Sequence, residues 1–183
     1  PQKVDVNWVE MWHQKKSLLN IVAKNGFLDF VVLILNVKNA NVNIKGALDG
    51  FSPLHEAASS GFYSVVKLLV DKGADITQLA YHGETPLHLA CSKGHIEIVK
   101  FLIEKENLIQ NINNNKRTFN LKDCNGDTPL HLAARNGFNL IVEYLINVEN
   151  LIVINEKNKC GETPLTSAIK NSRIHVVEVL CSS

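Results

Sequence analysis

Apolar residues recur along this chain at intervals of three and four, and short polar segments separate one apolar stretch from the next. The clearest stretches lie at 65–69, 96–103 and 140–146. Such spacings place apolar side chains on one stripe of an α-helix. The pattern therefore predicts a series of similar amphipathic helices.

A short phrase stands ahead of each of these helices. It is spelled Ser52-Pro53-Leu54-His55, and it returns at 85–88, at 128–131 and, with threonine in place of histidine, at 163–166. A Ser or Thr hydroxyl accepts hydrogen bonds from the free N–H groups at a helix start, and proline suits the first helical position because its missing N–H would be unpaired there. Each phrase therefore predicts the start of another helix.

Each repeated unit is consequently a pair of helices. Small residues such as Ala90 and Cys91 follow the phrase, and a glycine such as Gly94 then ends the first helix. The apolar stretch forms the second helix, and a polar turn containing glycine leads to the next unit. Since one unit cannot bury its apolar face alone, repeated units stack on one another.

The segment Gly83-Glu84-Thr85-Pro86-Leu87-His88-Leu89-Ala90, followed by Gly94-His95-Ile96-Glu97-Ile98-Val99, resembles the ankyrin repeat almost letter for letter. The resemblance extends from about residue 15 to residue 181. It implies an all-α ankyrin-repeat solenoid of about five stacked helix-turn-helix units joined by hairpin loops. The repeats would lie near 15–47, 48–79, 80–121, 122–157 and 158–183, with 1–14 as an N-terminal capping segment.

Several units depart from this motif. The first aligns Ser17 with Ser52 but lacks the proline and the histidine, as an atypical end repeat would. A polar insertion around 114–118 lengthens the interval before the fourth unit, and we expect it to form an exposed loop. The last unit carries Thr166 and Ser172 where the others have histidine and glycine, and it lacks a closing turn. We therefore expect the chain to be part of a longer protein.

The segment ahead of the repeats has a pattern of its own. The second helix of the first unit, 28–35, is apolar on nearly every side, whereas an end repeat needs a polar outer face to stay soluble. Just upstream, three large apolar residues are spaced by three and four: Trp8, Met11 and Trp12. We predict an additional helix that packs them over Phe30, Val31 and Ile34. The alternative is that a lost upstream repeat covered this face and that the segment is frayed.

Composition narrows the class of partner. The 183 residues are 45% apolar, and the formal net charge of +1 argues against a nucleic-acid binder that works by neutralising phosphates. The most apolar run, 27–35, is far shorter than the roughly 20 residues that span a bilayer. We expect a cytoplasmic monomer, in the host cytosol if it is a secreted effector, with a protein partner and neither nucleic acid nor membrane.

The cysteines and histidines do not indicate reactive chemistry. No CxxC pair is present, and stacked helix pairs about 10 Å apart exceed the Cα separation of roughly 7 Å that a disulfide needs, so we expect free thiols. His55, His88 and His131 recur in register, so they do not converge on one metal ion. The resemblance implies that each ring bonds its capping hydroxyl and nearby backbone. With no nucleophile beside a base and no phosphate-binding loop, we expect no catalytic residue, metal or cofactor.

The resemblance also implies that a partner binds a concave face made of hairpin tips and inner helices. Phe51 and Tyr81 lie at tip positions, and aromatic residues are frequent anchors of interfaces, although a single exposed aromatic is also ordinary surface. The charged candidates alternate in sign and equally suit a solvated face. The candidate partner-binding residues are Leu48, Asp49, Phe51, Ser59, Ser60, Tyr81, His82, Glu84, Ser92, Lys93, Cys124, Asn125, Asp127, Arg135, Asn136, Lys159, Glu162 and Lys170.

Two other functions stay open at this point. The chain is either the recognition arm of a larger enzyme or pathogen effector whose activity lies outside it, or an architectural spacer. A spacer would have no cluster of aromatic and matched charged side chains on its groove. Three asparagines, Asn43, Asn113 and Asn155, also resemble those that hydroxylases modify in ankyrin proteins.

Overall fold

The computed structural model describes residues 16–113, 118–148 and 152–182. Within these ranges the chain is helical and contains no β-strand. Its helices there are α1 (Leu18–Lys24), α2 (Leu28–Leu35), α3 (Pro53–Ser60), α4 (Tyr63–Asp71), α5 (Pro86–Lys93), α6 (Ile96–Asn113), α7 (Pro129–Asn136), α8 (Asn139–Asn147), α9 (Pro164–Lys170) and α10 (Ile174–Cys181). One turn of 3-10 helix, Thr118–Asn120, lies between α6 and α7. The predicted all-α architecture of helix pairs is confirmed.

The first helix of each pair begins where the repeated phrase predicts. Ser17, Ser52, Thr128 and Thr163 are the N-cap residues of α1, α3, α7 and α9, and α5 begins at Pro86. In α3, α7 and α9 the capping residue and the third helical residue bond to each other in both directions. These bonds satisfy donors that a helix start otherwise leaves unpaired.

The first helices also end as predicted. Gly61 and Gly137 follow α3 and α7 with φ of 84° and 85°, in the left-handed region that glycine adopts without strain. Ser172 takes the equivalent place in the last repeat and keeps a φ of 56°. A non-glycine residue pays on the order of 1–2 kcal/mol for that conformation. The last repeat therefore makes the same turn less favourably.

The chain divides into two compact units, with the boundary in the sequence between Pro86 and Leu87. In the first unit α1 packs on α3 and α2 packs on α4. In the second unit α7 packs on α9, and α8 packs on both α6 and α10. Each unit therefore buries one apolar layer between stacked helix pairs, with Leu54 and Leu69 fully buried in the first and Leu130 and Leu145 in the second.

The third repeat has an extended second helix. Helix α6 has 18 residues, whereas α4 and α8 have 9 each. No glycine or proline occurs in 104–113 to stop it. Most of the predicted exposed loop, 114–117, lies outside the described residues, and directly after it Phe119 is fully buried.

The predicted N-terminal cap, 1–14, also lies outside the described residues. The described chain starts at Lys16, which is itself buried. Of the three residues that the cap was predicted to cover, Val31 and Ile34 are buried while Phe30 is exposed. No helix in the described ranges combines the length and the apolar composition that crossing a membrane requires.

Candidate interaction surface

Four short turns stand ahead of α3, α5, α7 and α9 in the described chain: 46–51, 80–84, 123–127 and 158–162. The last three close in the same way, with the N–H of the first residue donating to the carbonyl of the fifth at 2.8–2.9 Å. Neighbouring turns within a unit are joined by a backbone hydrogen bond. Tyr81 N–H donates to Asp49 C=O at 3.0 Å in the first unit, and Lys159 N–H donates to Asn125 C=O at 2.9 Å in the second. Each unit therefore presents two linked turns.

The linked turns of the first unit carry apolar side chains, which we call the apolar tip row: Leu48, Phe51 and Tyr81. Leu48 and Tyr81 are 61% and 59% exposed. The Tyr81 ring lies against Gly50, where a Cβ atom would come within 2.6 Å of it. Since Gly50 also has a φ of +73°, this position suits glycine for two reasons. The row therefore offers two large apolar side chains on a fixed backbone.

Phe51 is less exposed than predicted. Its ring stacks on the His55 ring with centroids 5.5 Å apart, and Lys16 Nζ lies 5.6 Å from its centroid. These contacts leave it half-buried. Phe51 therefore packs against His55 and Lys16, and Leu48 and Tyr81 are the exposed members of the apolar tip row.

A buried charge cluster underlies the apolar tip row. Lys16 forms ion pairs with Asp49, at 3.0 Å, and with Glu56. Burial raises the pKa of Glu56. Burial alone would raise the pKa of Asp49 too, but the Phe51 N–H and the Lys16 ammonium hold it below its ordinary value. The charge of Asp49 is thus compensated inside the protein, and the candidate Asp49 positions the turn.

The linked turns of the second unit carry polar side chains, which we call the polar tip row: Asp123, Asn125, Asp127, Asn158, Lys159 and Glu162. Asp123 Oδ1 accepts N–H bonds from Asn125 and Asp127 at 2.8 and 2.9 Å. Asn158 Oδ1 accepts equivalent bonds from Cys160 and Glu162 at 3.0 and 2.9 Å. Short polar side chains commonly fix turns in this way.

The prediction that Asp127 is an exposed binding residue is wrong, because its side chain is fully buried. Its Oδ1 accepts a hydrogen bond from Asn158 Nδ2 at 2.8 Å. Its Oδ2 lies 2.7 Å from Arg135 Nη2, where opposite charges attract although the N–H is not aligned for a hydrogen bond. The half-buried Arg135 and the buried Asn158 enclose the carboxylate, so Asp127 organises the turn.

The remaining candidates lie around these two rows. Glu162 is half-buried and forms an ion pair with the exposed Lys170. Asn136 Nδ2 donates to the Leu132 carbonyl at 2.9 Å. The other exposed candidates are His82, Lys93, Cys124, Asn125 and Lys159, and the other half-buried ones are Ser59, Ser60, Glu84 and Ser92. Of the asparagines considered for hydroxylation, Asn43 uses its Oδ1 to accept the Asp75 N–H at 2.8 Å.

The repeated histidines are structural, as the resemblance implies. Ser52 N–H donates to His55 Nδ1 at 3.2 Å, so the ring proton is on Nε2, which donates to the Glu84 carbonyl at 3.0 Å. His131 makes the same bonds to Thr128 and Glu162. Burial lowers the pKa of His55 to about 4, and it lowers the pKa of His131 as well. Both rings are therefore neutral at physiological pH.

The described residues contain no group of three or more His, Cys, Asp or Glu placed to hold a metal ion. All four cysteines lie in the described chain and are free; Cys91 is buried and the other three are exposed. Burial raises the pKa of the Cys91 thiol, which makes it a poor nucleophile.

Sequence reasoning missed Lys16 and Asn158. Lys16 precedes the first helix and belongs to no repeated motif, so only the folded contacts reveal its partners. Asn158 carried a usable signal, because an Asn or Asp ahead of a glycine-containing turn commonly accepts backbone N–H bonds. Asn158 also occupies the position in its repeat that Asp123 has in the preceding repeat, which indicates the same role.

Two family models match the chain. One, described as "Ankyrin repeats (3 copies)", matches residues 107–183, and the other, described as "Ankyrin repeats (many copies)", matches residues 54–103. Two similar proteins are much longer than this chain. Glycerophosphocholine phosphodiesterase GDE1 of Candida albicans is 38% identical over 71 residues, which cover 39% of this chain and 6% of that protein. The ankyrin repeat and KH domain-containing protein mask of Drosophila melanogaster is 38% identical over 61 residues, or 33% of this chain and 2% of that protein.

Proposed function

The chain belongs to the ankyrin repeat family, and we propose that it binds a protein partner through the apolar tip row of its first unit. Ankyrin repeats generally mediate protein–protein interaction, and the repeat itself is a non-catalytic interaction fold. What the family does not specify is which residues of a given chain make the contact. The turns at 80–84, 123–127 and 158–162 each close with a backbone hydrogen bond between their first and fifth residues.

The observation that carries the proposal is the pairing of Leu48 and Tyr81. Both side chains are about 60% exposed, and the backbone bond from Tyr81 to Asp49 joins their turns. Tyrosine is enriched among residues that dominate binding energy. Because the backbone is already ordered, binding costs less conformational entropy than ordering a loop would.

The local electrostatics favour an apolar partner surface. Asp49 follows Leu48 directly in the sequence, and Lys16 compensates its charge. A partner that presents apolar side chains to Leu48 and Tyr81 would bury them without stranding a charge. Exposed His82 at the edge supplies a polar rim. This is the usual anatomy of an interface, with an apolar centre and a polar border.

A matched pair of variants tests the proposal. The wild-type chain, the double variant Leu48→Ala with Tyr81→Ala, and the control Leu140→Ala would each be used to capture proteins from the native cell. Leu140 is 61% exposed, as Leu48 is, but lies on α8. Two hot-spot residues contribute about 2 kcal/mol or more each, so loss of a protein from the double variant is easily detected.

Capture by the control but not by the double variant supports the proposal, provided that the far-UV circular dichroism spectra of all three proteins overlay. Capture that survives in the double variant contradicts it. Leu48 is a cleaner choice than Phe51, because truncating Phe51 would also remove its contacts with His55 and Lys16.

A second candidate function is that this chain is the recognition arm of a longer protein. The chain spans only 6% and 2% of the lengths of the two relatives described above, one of which is named as a phosphodiesterase. Binding by the apolar tip row would then deliver a partner to an activity elsewhere in the same polypeptide. The complete coding sequence tests this: a catalytic domain beside the repeats supports it, and a reading frame of repeats alone contradicts it.

A further inference from the structure

The first repeat exposes an apolar position that later repeats bury. Phe30 stands in the same register as Val65, Ile141 and Val176, counted from the N-cap residue of each repeat. Those three are each 1% exposed, whereas Phe30 is 59% exposed. Each of the later residues lies on a helix that packs on the second helix of the preceding repeat in its own unit: α4 on α2, α8 on α6 and α10 on α8. Phe30 therefore points toward the place that a preceding element would occupy.

Neighbouring residues extend this exposed surface. Leu18 is exposed, although the prolines in its register, Pro53, Pro129 and Pro164, are buried. Leu33, three residues after Phe30, is 63% exposed, and the Phe27 and Phe30 rings lie 6.1 Å apart. We call Leu18, Phe27, Phe30 and Leu33 the first-repeat face. Clustered apolar exposure of this kind marks a surface that something covers.

Helix α2 is thus apolar on two sides. Its inner side, Val31 and Ile34, is buried, and its outer side belongs to the first-repeat face. The cap predicted over Val31 and Ile34 falls outside the described residues, so that part stays a prediction; both side chains are buried, and α2 packs on α4. A helix that is apolar all round is normally buried all round.

We propose that residues 4–15 of this chain form a helix that covers the first-repeat face. Trp8, Met11 and Trp12 provide one apolar stripe on such a helix, since residues three and four apart lie on the same side. Glu10, His13 and Gln14 then face the solvent. A large aromatic surface on the segment matches a large aromatic surface on the repeat.

The attachment point suits this arrangement. The segment joins the repeats at Lys16, which its ion pairs with Asp49 and Glu56 hold in place. Helices α1 and α2 form a tight hairpin, so the start of α1 lies beside the end of α2. A helix over 4–15 would span about 18 Å, and the eight residues of α2 span about 12 Å. The segment is therefore long enough to run the whole length of α2.

Tryptophan fluorescence isolates this segment, because the only two tryptophans of the sequence are Trp8 and Trp12. In the full chain we expect a blue-shifted emission maximum and a lower acrylamide quenching constant than in the denatured chain. Emission and quenching equal to those of the denatured chain would overturn the proposal. That result would also mean that an element outside this chain is needed to cover the face.

Variants then identify the surface that shields the tryptophans. Phe30→Glu and, independently, Leu18→Glu should shift the emission to the red and raise the quenching constant toward the denatured value. The control Leu140→Glu, at a comparably exposed apolar site on α8, should change neither. An unfolded variant is recognised by circular dichroism, and two variants on the face keep the test decisive if one fails to fold. Unchanged emission in folded variants of the face would overturn the proposal.

A second copy of the chain is the competing occupant. Sedimentation equilibrium across a dilution series distinguishes the two, since the proposal requires blue-shifted emission at the mass of a monomer. Emission that turns red on dilution while the mass falls from dimer to monomer would overturn it. Because none of these readouts involves the apolar tip row, the outcome is independent of the proposed binding function.

Discussion

The apolar and polar tip rows share one backbone design and use their side chains in opposite ways. In both, a backbone bond links neighbouring turns, from Tyr81 to Asp49 and from Lys159 to Asn125. In the polar tip row, Oδ1 of Asp123 and Oδ1 of Asn158 each accept hydrogen bonds from backbone N–H groups of their own turn. The apolar row has alanine, Ala80, at the matching position of its second turn, and its exposed side chains make no such bonds.

This difference suggests that the polar tip row contributes to the stability of the fold and the apolar tip row to binding of a partner. Arg135 and Asn158 enclose the carboxylate of Asp127, and Glu162 forms an ion pair with Lys170, so these two acids of the polar tip row are already paired within the protein. Leu48 and Tyr81 contribute little to their own unit's burial because more than half of each remains in water. Substitutions in the polar row should therefore act on folding, and those in the apolar row on binding.

The largest effect should come from the core that supports the polar tip row. Leu130 is fully buried, so Leu130→Ala should lower the free energy of unfolding by about 2–5 kcal/mol. In a repeat protein the loss should spread to the neighbouring repeats. Chemical denaturation measures it, with the exposed Leu140→Ala as the control. Overlaying curves for Leu130→Ala and the wild type would contradict the packing described here.

Acid should destabilise the protein through the histidines beneath the rows. Burial lowers the pKa of His55 from 6.5 to about 4, so the unfolded chain binds a proton more readily than the folded one. The stability that the neutral ring contributes is complete above pH 6.5 and declines as the pH falls toward 4, by about 3 kcal/mol for this residue. Denaturation curves across that range should show a shallower pH dependence for His55→Gln. An equally steep dependence in the variant would count against this assignment.

A smaller loss of folding stability is expected when the Asp127 carboxylate is removed from the polar tip row. Asp127→Ala removes the hydrogen-bond acceptor of Asn158 and the ion-pair partner of Arg135, and it should cost about 1–3 kcal/mol. Asp127→Asn is the matched control, since it keeps the volume and an oxygen for Asn158 but removes the charge. Thermal melts of the three proteins should fall in the order wild type, Asp127→Asn, Asp127→Ala. Identical melts would show that the buried carboxylate is dispensable.

The parts of this fold that sequence predicts well are those fixed by short-range chemistry. The starts of α3 and α7 follow from Ser52 and Thr128, because a hydroxyl and the following proline determine a helix start locally. The length of α6 was less evident. Its continuation to Asn113 depends on the absence of a stop signal, which is weaker evidence than the presence of one.

The candidate surface was harder to predict because exposure is a tertiary property. Asp127 and Phe51 occupy the same position in their repeats, and the motif alone suggests that both are exposed. Asp127 is buried because Arg135 and Asn158 close over it, and Phe51 is half-buried because His55 stacks beneath it. Leu48 and Tyr81 could be predicted, since nothing in their turns competes to cover them.

Measuring folding and binding together on both rows tests the central claim most directly. The protein captured by the wild type would be titrated against Leu48→Ala with Tyr81→Ala and against Asp127→Ala, and each variant would be melted in parallel. The account predicts that the apolar-row variant loses binding while its melting temperature is preserved, and that Asp127→Ala melts lower yet binds as the wild type does when folded. An apolar-row variant that binds normally, with binding lost in folded Asp127→Ala, would contradict it.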